Sequence, residues 1–419
     1  MPGHKWTRRT VLGLLGAGVM APRRLWASSE LVLSNANLIG PDGRLVQGAG
    51  IRVVDGRIAE VGTAVQGGTD LQGAWISPGF TDMGCRLGLV EIGMEGATKD
   101  LSTGKSQAPD ARAIDGYNPR SELIAITRVN GITSVLVHPS LSGLVSGQAA
   151  LMRTTGDTLG AATLDASAAM CIQFGRAGAG GDGGVSSRMG QALVLRQFLH
   201  DIELPDESDK KSKKKKKGEA EDEDLAPGIK ELRALKRGEM LALIKAERAD
   251  DIERALDFVA AHELRAALVG CAEGHLIASE IADSGLPVIL GPIDVQPGSW
   301  AHPHASYENA AILHKAGVKM AFRTGDAHNV RNLPTLAGLA VAHGLPREAA
   351  YQALSSHPMD ILQRADIGRL QQGAEATFFV VEGDPLQPRH KVTGVWVAGE
   401  AQSMHTRQTR LYDEFKELK

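Results

Sequence analysis

From Leu31 to Val65, apolar residues come in short runs separated by turn formers: Leu31–Leu33, Pro41-Asp-Gly43, Ile51–Val54, Asp55-Gly56-Arg57 and Ile58–Val61. Asp-Gly between alternating apolar residues is a hairpin signal, because both residues tolerate the left-handed backbone of a tight turn. A matching set recurs near the other end, with Phe378–Val381, Gly383-Asp-Pro385, Val392–Val397 and Ala398-Gly399. Strand sets that bracket a long middle can pair with one another. Residues 30–77 and 366–403 are therefore expected to build one small β-sandwich from both ends.

The middle alternates between two periods. Asn118-Pro119 offers an N-cap and a first-turn proline for a helix reaching Asn130, Gly131 stops it, and Thr133–His138 reads as a strand. Ile252, Ala255, Leu256, Val259 and Ala260 form a helical stripe, followed by the strand-like Ala266–Val269. A helix ending at Ser284 and Gly285 leads to the strand Pro287–Leu290, and another ending before Gly317 leads to Val318–Phe322. Repeated helix–glycine–strand units predict a parallel sheet, and this many favour a closed (β/α)8 TIM-like barrel over residues 78–365. The competing architecture is a doubly wound open sheet. Either way the fold class is α/β. Leu411, Phe415 and Leu418 stand at helical spacing in residues 404–419 and predict a final amphipathic helix on the barrel or on a partner.

Composition changes this picture in three places. The lysine run Asp209–Lys217 abuts the acidic run Glu219–Asp224, so residues 206–228 read as a solvated insertion in the barrel. A net charge of -3 gives no overall pull toward nucleic acid or an anionic membrane. Cys85, Cys171 and Cys271 have neither metal-knuckle spacing nor the numbers for a disulfide framework. At the start, residues 1–29 carry Arg8-Arg9 before an apolar run, Val11–Ala21, which resembles a twin-arginine signal. The run is shorter than the ~20 residues of a spanning helix. A periplasmic or exported location, with no stable membrane insertion after removal of the segment, is the expectation.

The chemistry centres on Trp75-Ile-Ser-Pro-Gly-Phe-Thr-Asp82-Met-Gly84-Cys85-Arg86. This stretch resembles the first barrel strand of the amidohydrolase superfamily, where Pro-Gly and an aspartate precede two metal-binding histidines two residues apart. Ile367-Gly-Arg-Leu-Gln-Gln-Gly373-Ala-Glu-Ala376 resembles the signature that introduces that family's closing strands, and Gly383-Asp384-Pro385 follows it. The imidazolonepropionase-like branch is the most similar. The resemblance implies hydrolysis of non-peptide C–N bonds, in amides or cyclic amides, by water activated on a divalent metal, with an aspartate at the eighth strand handling protons.

Carried over residue by residue, the ligand pattern is degenerate. The first-strand histidines fall on Gly84 and Arg86, the fifth-strand motif on Lys245-Ala-Glu247-Arg248-Ala-Asp-Asp251, and the sixth-strand histidine on Gly270. Asp326 matches the eighth-strand aspartate, in Thr324-Gly-Asp326-Ala-His328-Asn-Val-Arg331-Asn332. Glycine has no ligand atom, and arginine stays a cation. Two arrangements remain open. In one, Glu247, Asp326 and His328 hold a single zinc, iron or manganese. In the other, which is favoured, Arg86 and Lys245 stand where the metal charge stood and pair with Glu247 and Asp326.

Asp326, which the resemblance matches, is with Glu247 and His328 a catalytic candidate, and Arg86, Lys245, Arg248 and Asn332, by their place in the same stretches, are the candidates for binding substrate. Other features carry blander readings. His302 and His304 are a loop pair, His138 a structural histidine at a strand end, His275 a helix-start residue, and Gly143–Gly147 and Gly175–Gly184 loops. Cys85 with His328 as its base is a weaker nucleophile pairing. Two functions follow: a hydrolase with an altered or lost metal site, or a non-catalytic relative that binds a small ligand or an active paralogue. Partners are accordingly a small molecule and a second copy or a paralogue.

Overall fold

The computed structural model describes residues 30–105, 107–175, 185, 187–200, 228–294 and 303–417. The twin-arginine segment, nearly all of the charged insertion, residues 176–184 and His302 lie outside them.

The chain opens with β1 (Glu30–Ile39), β2 (Leu45–Val54), β3 (Arg57–Gly62), β4 (Thr69–Asp70) and β5 (Trp75–Pro78). Next come β6 (Phe80–Cys85), β7 (Ile132–Val137), β8 (Val145–Arg153), β9 (Thr163–Gln173), β10 (Leu241–Ala246), β11 (Ala266–Gly270), β12 (Val288–Leu290) and β13 (Met320–Phe322). It closes with β14 (Phe378–Val381), β15 (Val392–Val397) and β16 (Glu400–Ala401). The described helices are α1 (Glu122–Arg128), α2 (Leu159–Ala162), α3 (Arg188–His200), α4 (Ile229–Lys236), α5 (Ala249–His262) and α6 (Ala278–Ser284). They continue with α7 (Asn309–Lys315), α8 (Leu333–Ala342), α9 (Arg347–Leu354), α10 (Ser356–Ile361) and α11 (Arg407–Phe415). Among the described residues no helix is long and apolar enough to cross a membrane.

The terminal segments do pair, with β14 running antiparallel to β5. They form one mixed sheet, ordered β16-β15-β14-β5-β1-β2-β3 with β4 beside β1, rather than two facing sheets. Leu33, Ile51, Ile76, Phe378 and Val380 belong to its own apolar cluster. A bidentate bridge from Arg153 to Glu375, at 2.8 and 2.7 Å, fastens it to the barrel.

The second sheet runs β13-β12-β11-β10-β9-β8-β7-β6. The Gly325 N–H donates to Gly84 O and the Arg86 N–H to Asp326 O, both at 2.8 Å, so its two outer strands meet beyond their C-terminal ends. The open-sheet alternative is thereby excluded. One strand departs from the expected eight parallel units, because β8 is antiparallel to both β7 and β9. Residues 138–144 and 154–162, which flank it, are too short for a crossover, which needs a dozen or more. Gly147 lies within β8 and not in a loop, at φ 111°, where a Cβ would press on Ala111 O.

Helix starts are also displaced. The Asn118 side chain accepts the Arg120 N–H in a turn of its own, and Ser121 caps α1 by accepting the Leu123 N–H. An asparagine side chain bonds its own backbone two residues on as readily as it caps a helix.

What positions the site is the two-residue period of the barrel strands. Leu136, Cys171, Leu243 and Ala321 belong to the inner apolar cluster, while Val137, Ile172, Ile244 and Phe322 pack with the outer one. Two residues beyond each inner residue stand His138, Gln173, Lys245 and Arg323. The barrel interior thus ends in a polar layer.

Candidate functional site

Asp82, on β6, is the fixed point of this layer. It is fully buried and accepts hydrogen bonds from the Gly84 N–H at 2.9 Å, the Thr324 N–H at 3.2 Å and the Thr324 hydroxyl. Burial pushes its carboxyl up to about 7, against those hydrogen bonds and the Arg323 charge. Its role is to clip the first barrel strand to the last.

Arg323 follows β13 and is 5% exposed. Its Nη2 lies 3.4 Å from His138 Nε2, and its buried Nε has no hydrogen-bond partner. A Cβ on Gly84 would come within 2.9 Å of that Nε, so the guanidinium occupies the space where a side chain at residue 84 would project. His138 Nδ1 lies 2.7 Å from Pro139 O, which makes Nδ1 the donor and leaves Nε2 to accept from Arg323. Burial, then the Arg323 charge, pushes His138 down to about 3, so its ring is neutral at ordinary pH.

A second glycine space is filled in the same manner. Gly270 has φ 92°, and a Cβ there would overlap the Glu247 carboxylate. Glu247 accepts the Ala272 N–H at 3.3 Å, and the Lys245 ammonium stands 4.0 Å away. Burial lowers Lys245 from its ordinary value; Glu247 opposes this, while Arg323 and Arg86 add to it. Arg86 is half-buried with its Nε unpartnered, and its charge acts on His138, Lys245 and Arg323.

Of the residues expected from sequence, the structure therefore brings together Arg86, Lys245 and Glu247. Asp326 and His328 share the rim but serve its loop. Asp326 accepts N–H bonds from Ala327 and His328 and the Asn329 amide, and these outweigh its burial and hold its carboxyl below the ordinary range. His328 Nε2 lies 2.9 Å from Glu91 O, and its Nδ1 is 4.0 Å from Asp326. The proposed ion pairs are half realised, since Lys245 faces Glu247 while Asp326 is engaged by backbone and amide groups.

Two candidates point elsewhere. Arg248, the residue before α5, pairs at 2.9 Å with Asp250 in the first turn of that helix. Asn332 bonds Asn329 and lines a cleft with Phe379 and Lys391, between α8 and the terminal sheet. Cys85 is poorly placed as a nucleophile: it is fully buried, and burial holds its thiol well above the ordinary value. His304 donates its backbone N–H to the buried Glu273.

As a metal cradle these residues do not fit. Gly84 and Gly270 supply no donor, the spaces beside them hold a guanidinium and a carboxylate, and the neighbouring charges are cations. Among the described residues no group of three His, Cys, Asp or Glu side chains could hold a metal ion, so Glu247, Asp326 and His328 are not assembled as a ligand set. Sequence reasoning passed over Arg323, used Asp82 only to mark the first-strand motif and gave His138 a lesser part. The signal was available: Arg323 and His138 are two residues past Ala321 and Leu136.

Comparison with known proteins places this geometry on a familiar scaffold. No protein-family model matches the chain, and no curated protein matches it by sequence. Among solved structures, an amidohydrolase from Thermotoga maritima MSB8 superposes with a TM-score of 0.82 at 24% identity, over 89% of this chain and 99% of that one. An adenosine deaminase from Xanthomonas campestris with bound zinc gives 0.53 at 14% identity, over 92% and 97%. The A. niger ochratoxinase gives 0.51 at 15%, over 89% and 95%. The chain has the fold of the amidohydrolases, an α/β protein with a barrel sheet and a separate mixed sheet.

Proposed function

We propose that this chain is an exported relative of the imidazolonepropionase-like amidohydrolases whose barrel mouth binds a small molecule through fixed charges in place of a divalent metal. The observation that carries the reading is the pair of filled glycine spaces, Arg323 over Gly84 and Glu247 over Gly270. A buried guanidinium cannot deprotonate to become a ligand, and it repels a metal cation from the same volume. Arg8-Arg9 and the apolar run after them support export, and the Ile367–Ala376 motif supports the superfamily.

Elemental mass spectrometry on protein purified without chelators or an added histidine tag tests this. The expected result is far less than one metal per chain and no hydrolysis of amide or cyclic-imide substrates. About one tightly held metal per chain, with turnover that tracks it, defeats the proposal.

A second reading, hydrolysis of a C–N bond, is favoured by the position of Asp326 at the rim with its carboxylate kept ionised, and by the hydrolases among the structural neighbours. It requires turnover that falls roughly 10²-fold or more in Asp326→Asn, the size of a lost general base. An unchanged rate in that variant removes Asp326 from any such role.

A further inference from the structure

The cations at the barrel mouth are underpaired. Among the described residues, Arg323 makes one long hydrogen bond, to a neutral histidine, and its buried Nε has no partner. The Arg86 Nε is likewise buried and unpartnered. Lys245 approaches Glu247 at the limit of ion pairing. Arg323 feels the charges of Glu247 and Asp82, but Asp82 spends its lone pairs on Gly84 and Thr324, so among the described residues these cations lack close acceptors. Folded proteins pair buried charges, because an uncompensated one is costly. Lys245, Glu247 and Arg86 all keep some solvent exposure, so the layer is open to a solute.

We infer that the barrel mouth is an oxyanion site, in which Arg323, Arg86 and Lys245 clamp a carboxylate or phosphate group of a small molecule. This deepens the fixed-charge reading above and rests on it. A guanidinium fork matches the paired oxygens of either group, and Lys245 adds a mobile point charge. Glu247 stands at the edge of the clamp, where it turns the anion toward the arginines and can accept from a donor on the rest of the ligand.

Calorimetric titration of the full chain with succinate and, separately, with inorganic phosphate tests the site. Saturable binding of either anion is expected, succinate alone assigning a carboxylate and phosphate alone a phosphoryl group. Arg86→Gln and Lys245→Met should each weaken it roughly tenfold or more, the worth of one charged hydrogen bond. Arg44→Gln, at the far sheet, should leave it unchanged. Arg323→Met should abolish it; should that variant fail to fold, the other two carry the test. No binding of either anion, or equal affinity in Arg86→Gln and Lys245→Met, overturns the inference. Metal content measured on the same sample separates the two claims. About one metal per chain overturns the underlying reading, whereas metal-free protein that ignores both anions overturns the oxyanion site alone.

Discussion

Arg153 and Arg323 both carry a guanidinium into the protein, and they are treated in opposite ways. Arg153, at the end of β8, grips Glu375 with two parallel bonds, and Thr377 donates to the same carboxylate at 2.6 Å. Arg323, more deeply buried, has one contact of 3.4 Å and an orphaned Nε. A similar contrast sets Asp384, held by Tyr351 and Arg347, apart from Glu247, which meets Lys245 at arm's length. At Arg153 and Asp384, charges that join two parts of the fold meet their partners at close range. At the barrel mouth, among the described residues, the buried Nε atoms of Arg323 and Arg86 have no acceptor. The difference separates charges kept for stability from charges kept for something that arrives from outside.

That contrast can be broken by mutation. Glu375→Ala leaves Arg153 without its carboxylate, and a loss of about 3 kcal/mol in urea unfolding is expected for this nearly buried pair. Gly270→Ala should cost about 2 kcal/mol, since the new Cβ suffers a left-handed φ and displaces Glu247 together. Gly84→Ala should cost about 1 kcal/mol, because its backbone is unstrained and the obstacle is a movable guanidinium.

His138 sharpens the comparison through pH. Its ring stays neutral in the folded protein down to about 3, whereas the unfolded chain takes up the proton near 6.5. Stability is therefore lost as pH falls from about 6.5 toward 3. Asp82 works the other way: its folded carboxyl titrates near 7, so its contribution grows as pH falls from about 7 toward 4. In His138→Gln, of these two contributions only that of Asp82 remains. Denaturation from pH 7 to 5 should show the variant gaining on the native protein as pH falls, and parallel profiles would contradict the assignment. The smallest effect expected is for Arg323→Met, within about 1 kcal/mol of the native protein, because few partners are lost and cationic repulsion is relieved. A loss as large as that of Glu375→Ala would erase the distinction between the two arginines.

The barrel was legible in the sequence because glycine stops such as Gly285 and the stripe on α5 are local signals. The direction of β8 was not, since an apolar run reads alike whichever way the strand points. Lys245, Glu247 and Arg86 were found through the motif in which they replace expected residues. Arg323 was missed for the converse reason: it lies outside the motif's ligand positions, and only the alternation from Ala321 aims it inward. Nor could any pattern say that Gly84 is filled by a residue more than two hundred positions away. Arg248 and Asn332 show the opposite failure, sharing the motifs' sequence while Asp250 and Asn329 draw their side chains aside.

The antiparallel β8 has a consequence for the order in which the barrel assembles. β7, β8 and β9 pair as sequence neighbours, so each pairing closes a short loop of chain. The meeting of β6 with the end of β13 joins Gly84 and Arg86 to Gly325 and Asp326 across nearly the whole barrel, and the entropy of closing a loop grows with its length. The meander should therefore form early and the seam late. Pulse-labelled hydrogen exchange during refolding should show the amides of β8 gaining protection before those of Arg86 and Gly325. Because Asp82 and Arg323 belong to the two sides of that seam, the charged layer at the mouth would then be the last part of the barrel to exist.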